Sequence, residues 1–304
     1  MKLSIVIVSW NTKDLTLKCV KSIFNFVNLN SFSAKGGPAA GWEVFLVDNA
    51  SADKTIEEVQ KLKYDNLYII TNKQNLGFAK ANNVGIKQAQ GEYILLLNPD
   101  TELIDNSLEK MIEFMDENNE CGIVGPRLLN SNNTLQRSCR KFPSLSDQFF
   151  IQLKLHNFFA QKIKSVREYY MLDFKHDKIK EVDQVMGAAM LIRREVFDKI
   201  GFLDEKFWSV FEEVDFCKRA KKAGYKIIFY PDCRIMHLKG ESFKKMASLK
   251  KQINFNQSLY YYFKKHHSFF KLIILWLLQL INLLLTLVDQ LVGVRGRVGK
   301  DKDL

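Results

Sequence analysis

The first half of the chain alternates short, continuously apolar runs with amphipathic segments. Leu3–Ser9 (LSIVIVS) is rich in β-branched residues and predicts a strand buried on both faces. Behind it, Thr12 and Asp14 open residues 14–27, whose apolar positions recur at helical spacing. The alternation continues with strands at 42–47, Leu67–Thr71, Tyr93–Leu97 and a short one at 122–124. Helices are predicted at 53–62, 78–90 (between Gly77 and Gly91) and 107–118. Residues 31–41, with Gly36-Gly37-Pro38, read as a loop. Strands that alternate with helices imply right-handed crossovers and a mostly parallel sheet with helices on both faces.

The second half is less regular. Residues 147–180 are aromatic and Lys-rich without a clear period, and read as helical or irregular cover. A strand is expected at 184–192, a helix at Arg194–Ile200, a helix at 211–223, a strand at 226–230 and a long helix at 242–266. The expected fold is thus α/β, with a C-terminal helical extension.

In open sheets of this kind ligands lie beyond the carboxyl ends of the strands. Three strand ends carry polar turn formers there: Trp10-Asn11-Thr12, Asp48-Asn49-Ala50-Ser51 and Asn98-Pro99-Asp100-Thr101. Each alone reads equally well as a cap or turn; together they mark one edge as a candidate site. Asp48 can accept from a nucleobase N–H or a ribose hydroxyl, or cap the next helix. Asp100 is an acid suited to a divalent cation that also takes phosphate oxygens, or part of a Pro-Asp-Thr turn. Asn75, Gly77 and Asn82 lie at a helix start, where backbone N–H groups favour an anion or polar ligand. Glu212, Glu213 and Asp215 crowd the start of the helix at 211–223. They suit the helix dipole, and mutual repulsion can raise one of them into the range of a general base. His237 follows the last strand region, where it serves as a ligand or a structural side chain.

Composition narrows the picture. Of the 304 residues 47% are hydrophobic and 26% charged, which excludes a disordered, collagenous or coiled-coil chain. Five Cys at irregular spacing form no zinc or disulfide pattern and fit a reducing compartment; the N-terminus shows no signal-peptide pattern. The net charge is +11, and residues 239–304 hold twelve Lys/Arg against four Asp/Glu. This basic charge flanks an apolar run at 269–292, so anionic lipid is the expected partner rather than nucleic acid. As a helix that run would be about 36 Å long, enough to cross a bilayer. Gln279, Asn282, Thr286 and Asp289 recur every three to four residues as one polar stripe. A stripe favours a helix lying at the membrane surface over a single span, with soluble packing or an oligomer contact as the third reading.

These segments together resemble the inverting family-2 glycosyltransferases of the GT-A fold, in their bacterial rhamnosyltransferase-like branch. The resemblance covers about residues 3–266. It rests on 4–11 (SIVIVSWN), 47–51 (VDNAS), 75–79 (NLGFA) with 82–85 (NNVG), and 97–101 (LNPDT). It continues through 187–194 (GAAMLIRR), 201–205 (GFLDE), 211–219 (FEEVDFCKR) and 237–242 (HLKGES).

The resemblance implies a catalytic domain at 1–240, its donor half about 1–130 and its acceptor half about 131–240, followed by a membrane-association segment at 241–304. It implies a nucleotide-diphosphate sugar donor (dTDP-rhamnose or a UDP-sugar), Mg²⁺ or Mn²⁺, and a lipid-linked or glycan acceptor. Donor-binding positions would be Ser9, Asn11, Asp48, Asn49, Asn75, Gly77, Asn82, Asn98 and Asp100. Asp100 matches the last acid of a DxD motif whose first acid is here Asn98, and it would share the metal with His237. Gly187, Ala188 and Glu212 would face the acceptor. Glu213 stands where the family places its base, with Asp215 as the alternative. The implied location is the cytoplasmic side of the cell membrane, peripheral or held by one C-terminal span. A nucleotidyltransferase would instead show a Gly-rich basic loop after the first strand, and a catalytically silent sugar- or lipid-binding scaffold would not need the acids.

Overall fold

The computed structural model describes residues 2–27, 41–238 and 248–291. Four strands build the parallel half of the sheet: β1 Leu3–Ser9, β2 Trp42–Asp48, β3 Leu67–Thr71 and β4 Tyr93–Leu97. They are joined by helices α1 Lys13–Phe26, α2 Thr55–Gln60 and α3 Phe78–Gln88. Next come β5 Thr101–Leu103, α4 Ser107–Glu117, β6 Cys121–Leu129, β7 Leu135–Gln136 and β8 Cys139–Arg140. Three short helices follow, α5 Leu145–Gln152, α6 His156–Phe159 and α7 Lys164–Tyr169. The chain then runs through β9 Lys180–Glu181, β10 Gln184–Val185, β11 Ala189–Arg193, α8 Arg194–Ile200, α9 Glu212–Lys222 and β12 Lys226–His237. It closes with α10 Ser248–His266 and α11 Phe269–Leu291.

The main sheet runs β3-β2-β1-β4-β11-β6-β12-β5. β11 is antiparallel to β4 and β6, β5 is antiparallel to β12, and β12 is parallel to β6. The sheet is therefore mixed but mostly parallel, as expected. Alternation along each strand feeds two cores. Ile5, Ile7, Leu95 and Leu97 enter one with α1 and α4. Val6, Val8, Ile94 and Leu96 enter the other with α3 and α9. Each such side chain, removed from water, contributes about 1.5–3 kcal/mol, and two polar residues inside these runs, Ser4 of β1 and Glu43 of β2, are buried as a hydrogen-bonded pair. All five cysteines are unpaired and buried; burial pushes their thiols up to about 12.

Several elements differ from the sequence pattern. The strand expected at 122–124 extends from Cys121 to Leu129. The one expected at 226–230 continues through Pro231 to His237, because a register shift between Tyr230 and Arg234 accommodates the missing N–H. The strand expected at 184–192 breaks into β10 and β11, leaving residues 186–188 as a turn. β5 was not anticipated. Residues 242–247, expected to open the long helix, and most of the loop at 31–41 lie outside the described residues. So do Lys239–Ser242 of the His237 motif in part: only His237 and Leu238 are described.

α10 and α11 pack onto the segment before α9 and its first turn through a cluster that includes Phe207, Phe211, Tyr262, Phe263 and Leu275. The polar stripe of α11 faces the protein, as the packing reading of it expects. Gln279 Nε2 donates to the Asn256 carbonyl at 2.8 Å and Asn282 Nδ2 to the Gln152 carbonyl at 2.8 Å. Thr286 is buried, and Asp289 pairs with Lys154. The outward face is apolar: Phe270, Trp276, Leu277 and Leu284 are half or more exposed, Phe270 at 78%.

Candidate active site

The carboxyl ends of β1, β2, β4 and β12 meet at one edge. At β1, Ser9 turns into a buried hydroxyl cluster, its Oγ 2.9 Å from Thr16 Oγ1. Asn11 adopts φ +53°. Its N–H donates to Ser51 Oγ at 2.9 Å, and its Oδ1 accepts from the Ala52 N–H at 2.8 Å. Asn11 therefore ties the ends of β1 and β2 together. At β2, Asp48 Oδ2 accepts the Ser51 N–H at 3.0 Å, while its buried Oδ1 has no protein partner. An orphaned carboxylate oxygen at a strand end is an acceptor kept for a ligand.

Asn49 braces the next loop. Its Nδ2 donates to Asn75 Oδ1 at 2.8 Å and its Oδ1 accepts the Leu76 N–H at 2.9 Å. Gly77, at φ +81°, lets that loop pass against the segment before α9: the Phe78 N–H donates to the Trp208 carbonyl at 2.7 Å. A Cβ on Gly77 would lie 2.7 Å from that oxygen, so only glycine fits. Asn82 turns away, its Nδ2 donating to the Phe78 carbonyl at 3.0 Å.

A cleft of about 380 Å³ opens at this edge. Asn49, Asn75, Gly77, Asn98, Asp100 and His237 line it together with Gly187, Ala188, Glu212 and Glu213. Ser9, Asn11, Asp48, Asn82 and Asp215 are not on its wall. The side chains of Ser9 and Asn82 are engaged in hydrogen bonds within the protein.

His237 and Asp100 come together through the β12–β5 pairing. His237 pairs with Thr101 in register, and the Leu238 N–H donates to the Asp100 carbonyl at 2.8 Å. His237 Nε2 lies 3.3 Å from Asp100 Oδ1, and Nδ1 lies 2.5 Å from Gln136 Oε1. Asn98 is held by its N–H on the Ala188 carbonyl at 2.9 Å, and its buried Oδ1 has no protein partner. Among the described residues no group of three His, Cys, Asp or Glu forms a metal cluster. An acid and an imidazole facing each other beside an orphaned carbonyl oxygen fit a hard cation that completes its shell with phosphate and water.

Just before α9, Phe211 occupies the left-handed region at φ +75°. That is a costly conformation for a bulky residue. Burial against Phe255 and Tyr262 maintains it, and it aims the first turn of α9 at the cleft. Burial and the neighbouring Glu213 charge raise Glu212 well above the usual carboxylate range. Burial also raises Glu213, with main-chain N–H groups and the Arg140 guanidinium opposing the shift. The stronger rise at Glu212 makes Glu213 the member of the pair that ionises first.

Asp215 is different. Its carboxylate, fully buried, meets Arg219 Nε at 2.8 Å, Lys265 Nζ at 2.9 Å and His266 Nε2 at 2.7 Å. Burial opposes its charge, but His266, Lys265 and Arg219 outweigh that and lower it to about 2. A carboxylate so tied is an anchor between α9 and α10, not a proton acceptor, which corrects its reading as the alternative base. Because its folded value lies below the unfolded 3.8, its contribution is full above about pH 4 and fades as pH falls toward 2. By linkage it is worth about 2 kcal/mol. Asp215→Asn is expected to lower the unfolding midpoint at pH 7, and chemical denaturation at pH 2–4 should show the gap to wild type closing. A gap constant across that range would mean the ion pairs carry no net stability.

Three residues at the site, Trp208, Gln136 and Arg140, escape sequence reading. Trp10 and Trp208 line the cleft, 40% and 50% exposed. Trp208, an aromatic between two site motifs, offered a signal; Gln136 and Arg140 offered none.

The sequence profile of glycosyl transferase family 2 matches residues 4–201. The chain belongs to glycosyl transferase family 2. It is 28% identical over 202 residues to a low-salt glycan biosynthesis hexosyltransferase of Haloferax volcanii, covering 65% of this chain and 58% of that protein. It is 25% identical over 214 residues to an N-acetylglucosaminyl-diphospho-decaprenol L-rhamnosyltransferase of Mycobacterium tuberculosis, covering 66% and 67% respectively. The chain thus spans little more than half the length of the first of these. Among solved structures, the mannosyltransferase of Pyrobaculum calidifontis in complex with GDP-Man and Mn²⁺ superposes with a TM-score of 0.58 at 15% identity, over 98% of this chain and 77% of that one. TarS of S. aureus in complex with UDP gives 0.54 at 17% identity, over 85% and 64%. These likenesses show the GT-A fold.

Proposed function

We propose that this family 2 protein transfers a sugar from a nucleotide-diphosphate sugar to a hydroxyl of a lipid-linked or glycan acceptor, by single displacement with inversion. One observation carries the reading: a single cleft is lined by both the Asp100–His237 pair and the Glu212–Glu213 pair. Asp48 Oδ1 would accept from the base or ribose, and Asn49 and Asn75 would shape the loop beside it. Asp100 and His237 would hold Mg²⁺ or Mn²⁺, which when bound supplies positive charge to the diphosphate leaving group. Glu213 takes the acceptor proton as the acceptor oxygen bonds to the sugar C1. The bond from C1 to the diphosphate breaks, its electron pair leaving with the diphosphate. No covalent enzyme intermediate is required.

The names of the relatives support a glycan-building role, and bound UDP and GDP-Man in fold neighbours support a nucleotide-sugar donor. dTDP-rhamnose and UDP-sugars are the first donors to test. The test is a panel of nucleotide sugars with the full chain, with and without Mn²⁺, read by thermal shift and by release of nucleoside diphosphate. A ligand that binds only the folded state raises the midpoint. Stabilisation without release would indicate a silent scaffold; neither signal with any donor would overturn the reading.

The C-terminal segment is read as the membrane contact, at the cytoplasmic face, with residues 1–240 as the catalytic domain. Phe269–Gln290 has a mean hydropathy of 2.2 and is long and apolar enough to cross a bilayer. However, its inward stripe is fastened to α5 and α10 from Leu272 to Asp289. Spanning would drag those helices into hydrocarbon. A helix laid on the surface, apolar face down, satisfies both halves of its pattern. Flanking Lys/Arg add about 1 kcal/mol each against anionic lipid, a contribution that salt screens. The full chain is expected to float with anionic liposomes, to be released only partly by high salt, and to be extracted by alkaline carbonate. Trp276→Asp with Leu284→Asp should stay at the bottom of the gradient while keeping nucleotide-sugar binding. If that variant floats normally, or forms a smaller oligomer than wild type without losing flotation, the face is not the membrane contact.

A further inference from the structure

Gln136 is buried beside His237 for no reason the sheet requires. It sits on the short β7, which pairs with the end of β6 through Leu128 and Leu129. The hairpin between them closes tightly: the Asn130 N–H donates to the Thr134 carbonyl at 2.9 Å, and Asn133 turns at φ +62°. Inside this hairpin the side-chain amides form a chain whose polarity is set by main-chain carbonyls, which can only accept. Asn130 Nδ2 faces the Leu135 carbonyl at 3.4 Å and Thr134 Oγ1 at 3.0 Å. Asn130 Oδ1 is thereby turned to accept from Gln136 Nε2 at 2.9 Å. Gln136 Nε2 also faces the His237 carbonyl at 3.4 Å. Flipping the Gln136 amide would set its oxygen against two acceptors at once, so Oε1 is the atom that meets His237 Nδ1 at 2.5 Å.

We infer that Gln136, oriented by Asn130, is a positioning residue that holds the neutral His237 ring as its Nδ1–H tautomer. Nε2, 3.3 Å from Asp100 Oδ1, is then a lone pair aimed at the acid. Two facing acceptors attract a cation between them, and a ligating imidazole needs its far N–H held by an acceptor. Asp100 Oδ1, 3.3 Å from Nε2, is the competing acceptor for the ring proton, and the Gln136 contact is the shorter of the two. The inference rests on reading Asp100 and His237 as the cation pair, and its test separates the two.

The full chain, labelled with ¹⁵N-histidine and metal-free, is examined by long-range ¹H–¹⁵N correlation at a pH where the ring is neutral, with His237→Gln to assign the signal. Wild type should show the Nδ1–H pattern, and Gln136→Leu should shift toward Nε2–H. Mn²⁺ affinity in the presence of UDP, by titration calorimetry, should fall about tenfold in Gln136→Leu. If Gln136→Leu unfolds, Asn130→Ala, which frees the Gln136 amide to flip, replaces it with the same expected shift. A folded Gln136→Leu that keeps both the Nδ1–H pattern and wild-type Mn²⁺ affinity overturns the inference. If instead His237→Gln leaves Mn²⁺ affinity unchanged, the cation-pair reading fails, and the tautomer shift alone decides the role of Gln136.

Discussion

Glu213→Gln is expected to lower turnover by at least about 10²-fold and leave nucleotide-sugar binding intact. The carboxamide keeps the shape of the side chain and cannot take a proton. Its neighbour Glu212 is a poor replacement, because burial, the larger cause of its raised value, persists when the Glu213 charge is gone. The same electrostatics give a pH dependence. Burial raises Glu213 above its ordinary 4.5 while Arg140 and main-chain N–H groups limit the rise. Only the ionised form accepts the proton, so wild-type turnover should fall as pH drops through that raised value. This acid limb should be missing from the residual rate of Glu213→Gln. Steady-state rates across pH, with donor affinity measured separately, provide the check. If Asp215→Asn is the inactive variant and Glu213→Gln stays active, the anchor and the base must exchange roles.

Asp100→Ala should abolish transfer, by about 10³-fold or more, since the charge it is read to hold beside the diphosphate contributes several kcal/mol to the leaving step. Excess EDTA should do the same to wild type. The fold should be little affected: Asp100 lies at the end of the sheet, and the register of β12 with β5 is carried by main-chain bonds, including Leu238 N–H to the Asp100 carbonyl. Thermal melts provide a second readout. UDP with Mn²⁺ should stabilise wild type more than UDP alone, and that increment should vanish in Asp100→Ala. Full activity in excess EDTA would remove the metal from the reaction.

The central sheet was legible because its strands are buried on both faces. β1 and β4 are buried at every position, so their sequences are nearly pure Val, Ile and Leu and cannot be mistaken for surface. The helix starting at Phe78 was legible from Gly77, whose φ of +81° beside Trp208 demands glycine. Strand ends at Asn11, Asp48 and Asp100 could be found from the punctuation that stops each apolar run. β5 was not legible: three residues long, it exists because β12 reaches past Pro231 to pair with it. Gln136 and Arg140 were invisible for the same kind of reason. Their partners, His237 and Glu213, are 101 and 73 positions away, and no local pattern marks a polar residue that acts across such a distance.

By itself, the sequence determined the parallel half of the sheet, the edge at which ligands meet it, and the acids and histidine that gather there. These follow from local periodicity and from turn chemistry, which neighbouring residues encode. The tertiary structure decided roles among similar groups. Asp215 and Glu213 are two positions apart on one helix, yet one faces Lys265 and His266 and the other the cleft. The polar stripe of α11 left a surface helix and a packed one both open until α5 and α10 supplied carbonyls for it, which turned the apolar face outward. In both cases the deciding partner lies on a distant segment, and the energy of a buried charge or amide depends on that partner far more than on its own neighbours in the chain.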